Sequence, residues 1–124
     1  MFYRRIILLA ILFTMFFSAT AEEYSHSSRE SKYPSSELQK MKEAADNGDM
    51  EKAIIYGSEL ILTGKNEREG IKYLEHAAKH DNPTAIYYIL IMTDYKTEFY
   101  YEKLRELAKT NKKAKDLILM YDNL

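Results

Sequence analysis

A short phrase recurs three times along this chain: a pair of small or apolar residues, a turn-permissive residue three positions after the pair, then an alanine. It reads Ala44-Ala45, Gly48, Ala53; then Ala77-Ala78, Asp81, Ala85; and, more loosely, Leu107-Ala108, Asn111, Ala114. Recurrence at about 30 residues marks stacked helical hairpins, in which each unit buries its apolar face only against its neighbours. A helix commonly closes on one residue in left-handed backbone, which Gly adopts freely and which Asn and Asp tolerate. The spacing therefore predicts that Gly48, Asp81 and Asn111 end helices, with Ala45, Ala78 and Ala108 as close hairpin contacts.

Six helices follow from the apolar stripes and caps between these turns. Ser36 and Gln39 have capping-box spacing and open a helix that ends near Asn47, with Leu38, Met41 and Ala45 inward. Asp49 caps a second helix striped by Met50, Ala53, Ile54, Gly57, Leu60 and Ile61 and closed by Gly64. Asn66 with Glu69 caps a third, carrying Ile71, Leu74 and Ala78. Asn82 precedes Pro83, which suits a first helical position, and the run Ile86-Tyr87-Tyr88-Ile89-Leu90-Ile91-Met92 is apolar nearly all round. A helix of that kind belongs at the centre; a buried strand is the rival, but no second strand is available to pair with it. Thr97 caps a fifth helix with Tyr100, Leu104 and Ala108 on one face. The sixth runs from about Lys112, with Ala114, Leu117, Ile118 and Tyr121 inward and Lys112, Lys113 and Lys115 on a polar outer side, as a capping helix requires.

The N-terminus divides the chain before this domain begins. Arg4-Arg5 precede an apolar run from Ile6 to Phe17, broken only by Thr14, and then Ala19-Thr20-Ala21. That order describes a secretory signal peptide cleaved after Ala21, because the run is well short of the ~20 apolar residues of a spanning helix. The expected organisation is thus a signal peptide over 1–21, a flexible Ser-rich lead-in over 22–35 and a helical domain over 36–124. Localisation in the periplasm or outside the cell follows, with no membrane span after cleavage.

Loss of Arg4 and Arg5 with the signal takes the formal charge from −1 to −3. A mildly acidic domain without a basic face is a poor ligand for nucleic acid. The 124 residues include no cysteine, which excludes disulfides, zinc-thiolate clusters and a cysteine nucleophile.

Signals for chemistry are sparse. His76 and His80 stand four apart, a spacing that can hold zinc and could serve a metal-dependent hydrolase. Yet Asp81 is adjacent, His26 lies in the lead-in and no Glu follows His76 as a metalloprotease signature would have it. A His pair in the last turn is more simply explained by its favourable interaction with the helix C-terminus. No phosphate loop, nucleophile elbow or paired-carboxylate motif is present, so neither catalytic residue, metal nor cofactor is expected. Among the 11 tyrosines, Tyr73, Tyr88 and Tyr121 fall on inward stripes, whereas Tyr87, Tyr95, Tyr100 and Tyr101 gather around the fourth and fifth helices. Aromatic groups of that type anchor protein interfaces.

Ala53-Ile-Ile-Tyr56-Gly57-Ser-Glu-Leu60-Ile-Leu-Thr-Gly64, followed by Gly70-Ile71-Lys-Tyr73-Leu74-Glu-His-Ala77-Ala78, resembles a Sel-one-like repeat of the tetratricopeptide superfamily. Tyr56 stands where that pattern has Leu, Leu60 where it has an aromatic and Gly70 where it has Ala. In the next unit Ala85 and Tyr88 keep their places, but Ile89 replaces the close-packing Gly. The resemblance implies an all-α fold of antiparallel hairpins stacked as a short α-solenoid, about two repeats and a capping helix. It also implies a non-enzymatic, monomeric module that holds a protein or peptide in a groove, as an envelope scaffold or as an immunity protein neutralising a secreted toxin. In such hairpins the first helix of each unit lines the concave face. That points Glu51, Ile54, Ser58, Ile61, Ile86, Tyr87, Leu90, Thr93, Lys115 and Leu119 toward the partner. The alternative is that so short a solenoid stays closed and Ile54, Ile86 and Leu90 complete its core.

Overall fold

A computed structural model describes residues 29–124; the expected signal peptide and the first part of the lead-in lie outside the described residues. Six helices fill the described chain, and no strand occurs among them: α1 (Ser35–Asp46), α2 (Met50–Leu62), α3 (Glu67–Lys79), α4 (Pro83–Met92), α5 (Thr97–Leu107) and α6 (Lys112–Asp122).

Four helix starts are set by side chains that accept a hydrogen bond from an otherwise orphaned backbone N–H. Asp49 accepts from Lys52 N, Asn66 from Glu69 N, Asn82 from Ala85 N and Asn111 from Ala114 N, at 3.0–3.1 Å. Asn66 also donates to Glu69 Oε2 at 3.2 Å, so the first turn of α3 is tied twice. Two expected caps are corrected. The first helix starts at Ser35 behind Pro34 with no side-chain cap bond, so Ser36 sits inside the first turn. Thr97 is likewise the first residue of α5, and Lys96 precedes it in left-handed backbone at φ 46°.

The turns show why the phrase repeats. Gly48 at φ 99° and Asp81 at φ 60° both take the left-handed conformation. Each lets the next amide reach back five residues, Asp49 N to Ala44 O and Asn82 N to Ala77 O. The third occurrence behaves otherwise. Asn111 is extended at φ −122° and caps α6, while its amide bonds only to Leu107 O, so the turn closes without a left-handed residue. Asn111 is thus the counterpart of Asp49 and Asn82, one position on from that of Gly48 and Asp81.

Consecutive helices pack against one another in chain order, and α2 with α4 and α4 with α6 make further contacts. That pattern is a short α-solenoid, with α2, α4 and α6 side by side in one layer. The tightest crossing joins α2 to α3 at Gly57 and Gly70. A methyl group added at Gly70 would stand 2.6 Å from Gly57 O, and one at Gly57 would stand 2.8 Å from Gly70 O. Neither backbone could come so near past a side chain.

The core is built around α4. Ile86, Ile89 and Leu90 are buried with Leu74, Ala77 and Ala78 of α3, Tyr100 and Leu104 of α5, and Ala114, Ile118 and Tyr121 of α6. Its start at Asn82-Pro83 and neighbours on several sides make the all-round apolar segment a central helix. Ala78, with no exposed surface, lies in this cluster. Ala78→Leu should overpack it and cost about 1–3 kcal/mol, read as a lower midpoint in a urea melt.

Candidate functional site

The residues expected to line a groove differ widely in exposure. Glu51 and Leu119 face solvent, with Leu119 51% exposed. Ile54, Ser58, Ile86, Tyr87, Leu90 and Thr93 are buried, and Ile86 and Leu90 retain 0% and 1% of their surface. Ile61 is half-buried, against the place where a Gly70 side chain would stand. Two of the hydroxyls on this list bond back to the preceding helical turn: Ser58 Oγ donates to Ile54 O at 2.6 Å and Thr93 Oγ1 to Ile89 O at 2.8 Å. The expected groove is therefore corrected at these six buried positions. Of the tyrosines expected as anchors, Tyr100 and Tyr87 are both buried in the core.

The physical reason is rotation. One residue along a helix turns the side chain by 100°, so placing Ile54 rather than Ile55 outward exchanges core for surface. On α2 Ala53, Ile54, Gly57, Ser58, Glu59 and Leu60 are buried, Ile55 is half-buried, and Glu51 and Leu62 are exposed. On α4 the partly open residues are Pro83, Thr84, Tyr88, Ile91 and Met92, and on α6 the exposed ones include Lys115, Leu119 and Met120. The apolar stripe of α2 already held Ile54 inward, and only the repeat pattern turned it toward a groove.

A polar cluster that sequence patterns did not single out centres on Glu75 of α3. Its carboxylate accepts from Tyr100 Oη at 2.6 Å and Tyr95 Oη at 3.4 Å, and Lys79 and Lys96 each approach it at 3.8 Å. Burial alone would raise the Glu75 pKa, but the two phenols and two ammonium groups together hold it below the usual glutamate range. Burial and the bond to Glu75 raise the Tyr100 phenol. A phenol so held is a donor rather than a nucleophile. The cluster ties α3 to α5 and to the loop between α4 and α5. Lys96 sits over the Tyr95 ring at 5.0 Å and completes it.

A depressed folded-state pKa makes its contribution above the unfolded pKa and loses it as pH falls through the folded one. Glu75→Gln should therefore melt below wild type at neutral pH. The gap should close on acidification below the ordinary glutamate range, as followed by thermal melts across pH.

A concavity of about 980 Å3 lies where the turn between α1 and α2 meets α3. Arg68, Lys72 and His76 reach it at four-residue spacing, a helical stripe legible in the sequence once the helix is placed. Tyr73 donates to Asp46 Oδ1 at 2.6 Å across its floor and meets Tyr56 edge-on, with ring centroids 4.9 Å apart. Burial and the Asp46 bond raise the Tyr73 phenol.

His76 and His80 are both exposed, 5.1 Å between ring centroids, with His80 Nδ1 against His76 O at 2.9 Å. No group of three or more metal-capable side chains occurs among the described residues. No described helix is long and apolar enough to cross a membrane. Comparison with protein families, curated proteins and solved structures finds nothing that matches this chain.

Proposed function

We propose that this chain is an exported, non-enzymatic binding module of the Sel-one-like kind, which holds a protein or peptide partner against the layer formed by α2, α4 and α6. The observation that carries this reading is the apolar surface those helices leave open: Leu62 and Leu119 are 43% and 51% exposed, with Met120 beside Leu119. Tyr88 and Ile91 of the α4 helix of that layer are half-buried, and exposed large apolar side chains on a small domain mark a candidate docking surface. The contact set is therefore Ile55, Leu62, Tyr88, Ile91 and Leu119, with Glu51 and Lys115 at its polar margin. The basic start, short apolar run and Ala19-Thr20-Ala21 site support export with cleavage after Ala21. The family resemblance favours an immunity protein or an envelope scaffold as the biological role.

Leu62→Asp and Leu119→Asp test the binding reading. Exposed substitutions of this kind change stability by only about 0.5 kcal/mol, whereas loss of an interface anchor costs about 2 kcal/mol or more. Both variants should melt like wild type yet fail to retain the partner recovered by the wild-type protein from an envelope extract. Retention at wild-type levels by both would overturn the proposal.

A further inference from the structure

Glu59 is the one charged residue among the described residues that is buried, with 5% of its side chain exposed. A carboxylate so placed needs a compensating cation and filled lone pairs. No helix supplies them. Both of its side-chain partners come from the segment ahead of α1. Arg29 Nη2 donates to Glu59 Oε1, and Ser31 Oγ donates to Oε2 at 3.1 Å. Ser31 Oγ also accepts from Tyr33 N at 3.2 Å, which bends the segment over the carboxylate. A cavity of about 160 Å3 adjoins this contact, walled by Leu38 of α1 and by Tyr56, Leu60 and Thr63 along α2. The Thr63 hydroxyl is engaged with Glu59 O at 2.6 Å and leaves the carboxylate to the segment.

We propose that residues 29–34 form a strap bound as a ligand in cis, with the Arg29 guanidinium occupying a guanidinium-recognition pocket on α2 whose specifying group is Glu59. Arg29 engages the carboxylate through Nη2 alone, and its Nε is buried without a partner; a weakly hydrated, delocalised guanidinium suits a buried carboxylate better than a compact ammonium does. The tether is short and its grip rests on two side chains. A free alkylguanidinium therefore competes with Arg29, and release of the strap opens the cavity beside Leu38 and Tyr56. Glu59 lies between Ile55 and Leu62 at i+4 and i−3 on one helix face. The strap therefore crosses the same side of α2 as half-buried Ile55 and exposed Leu62, yet its seating is independent of whether a partner binds there.

Tryptic cleavage after Lys32 in the full chain, followed by the appearance of the fragment that begins at Tyr33, reads strap release directly. Arg29→Ala and Glu59→Gln should each accelerate it about tenfold or more, the factor expected when a hydrogen bond to a charged group is lost. The double variant should cleave no faster than Glu59→Gln alone, because both substitutions remove one interaction. Millimolar ethylguanidinium should accelerate cleavage in wild type but not in Glu59→Gln. It should also raise the melting temperature of Arg29→Ala but not of the double variant. Wild-type cleavage rates in both single variants, or an ethylguanidinium response that survives Glu59→Gln, would overturn the proposal.

Discussion

Gly70→Ala should lower the melting temperature by about 8–16 °C, the shift that about 2 kcal/mol produces in a domain of this size. The direction is opposite to what helix propensity alone dictates, since Ala is favoured over Gly in a helix interior by up to ~1 kcal/mol. Sterics decide. The new methyl would stand 2.6 Å from the Gly57 carbonyl oxygen and 2.7 Å from Ile61 Cγ1, and a backbone carbonyl inside a helix cannot rotate away as a long side chain would. Overpacking costs about 1–3 kcal/mol or more in such a setting, so the clash outweighs the propensity gain. Gly57→Ala, with contacts of 2.8 Å to Gly70 O and 3.0 Å to Tyr73 Cβ, should behave alike. Because each glycine answers the other, the double variant should lose less than the two single losses added together. Melts that match wild type in both single variants would mean that α2 and α3 do not cross there.

Leu90→Glu is expected to abolish the folded state outright. Leu90 is 1% exposed in a cluster drawn from α2 to α6. A carboxylate there would lack a partner, and the cost of burying it is comparable with the whole stability of a small domain, about 5–15 kcal/mol. Circular dichroism of the purified variant should show loss of helix at room temperature. Ile86→Glu should do the same. Leu119→Glu, on an exposed position of the adjoining helix, should not. A folded Leu90→Glu would return that residue to the surface and with it the groove that the family pattern drew.

Local chemistry was legible at most helix ends, though Pro34 and Lys96 hold the positions ahead of α1 and α5 where Ser36 and Thr97 were expected to cap. Asp49, Asn66 and Asn82 cap their helices because a short acceptor side chain needs only the next three amides, all near in sequence. Gly48 and Asp81 take positive φ for an equally local reason. The third turn departs because a helix can also close by tighter bonds that leave no residue signature, and Asn111 is a good cap as well as a good terminator. Lys96 in left-handed backbone was invisible for the opposite reason, since lysine is not a residue that seeks that conformation. It is placed among contacts that no local pattern encodes, the Tyr95 ring and the Glu75 carboxylate from another helix.

The amino-acid sequence by itself determined the all-helical class, the hairpin spacing, most helix ends and the central position of α4, because each depends on periodicity or on groups a few residues apart. Tertiary structure alone decided that Ile86 and Leu90 are enclosed rather than presented, that Gly57 meets Gly70, and that Arg29 crosses thirty positions to Glu59. An amphipathic stripe says that a helix has an inside. How wide that inside must be depends on how many neighbours cover it, and in so short a solenoid α4 is covered by α2, α3, α5 and α6 together.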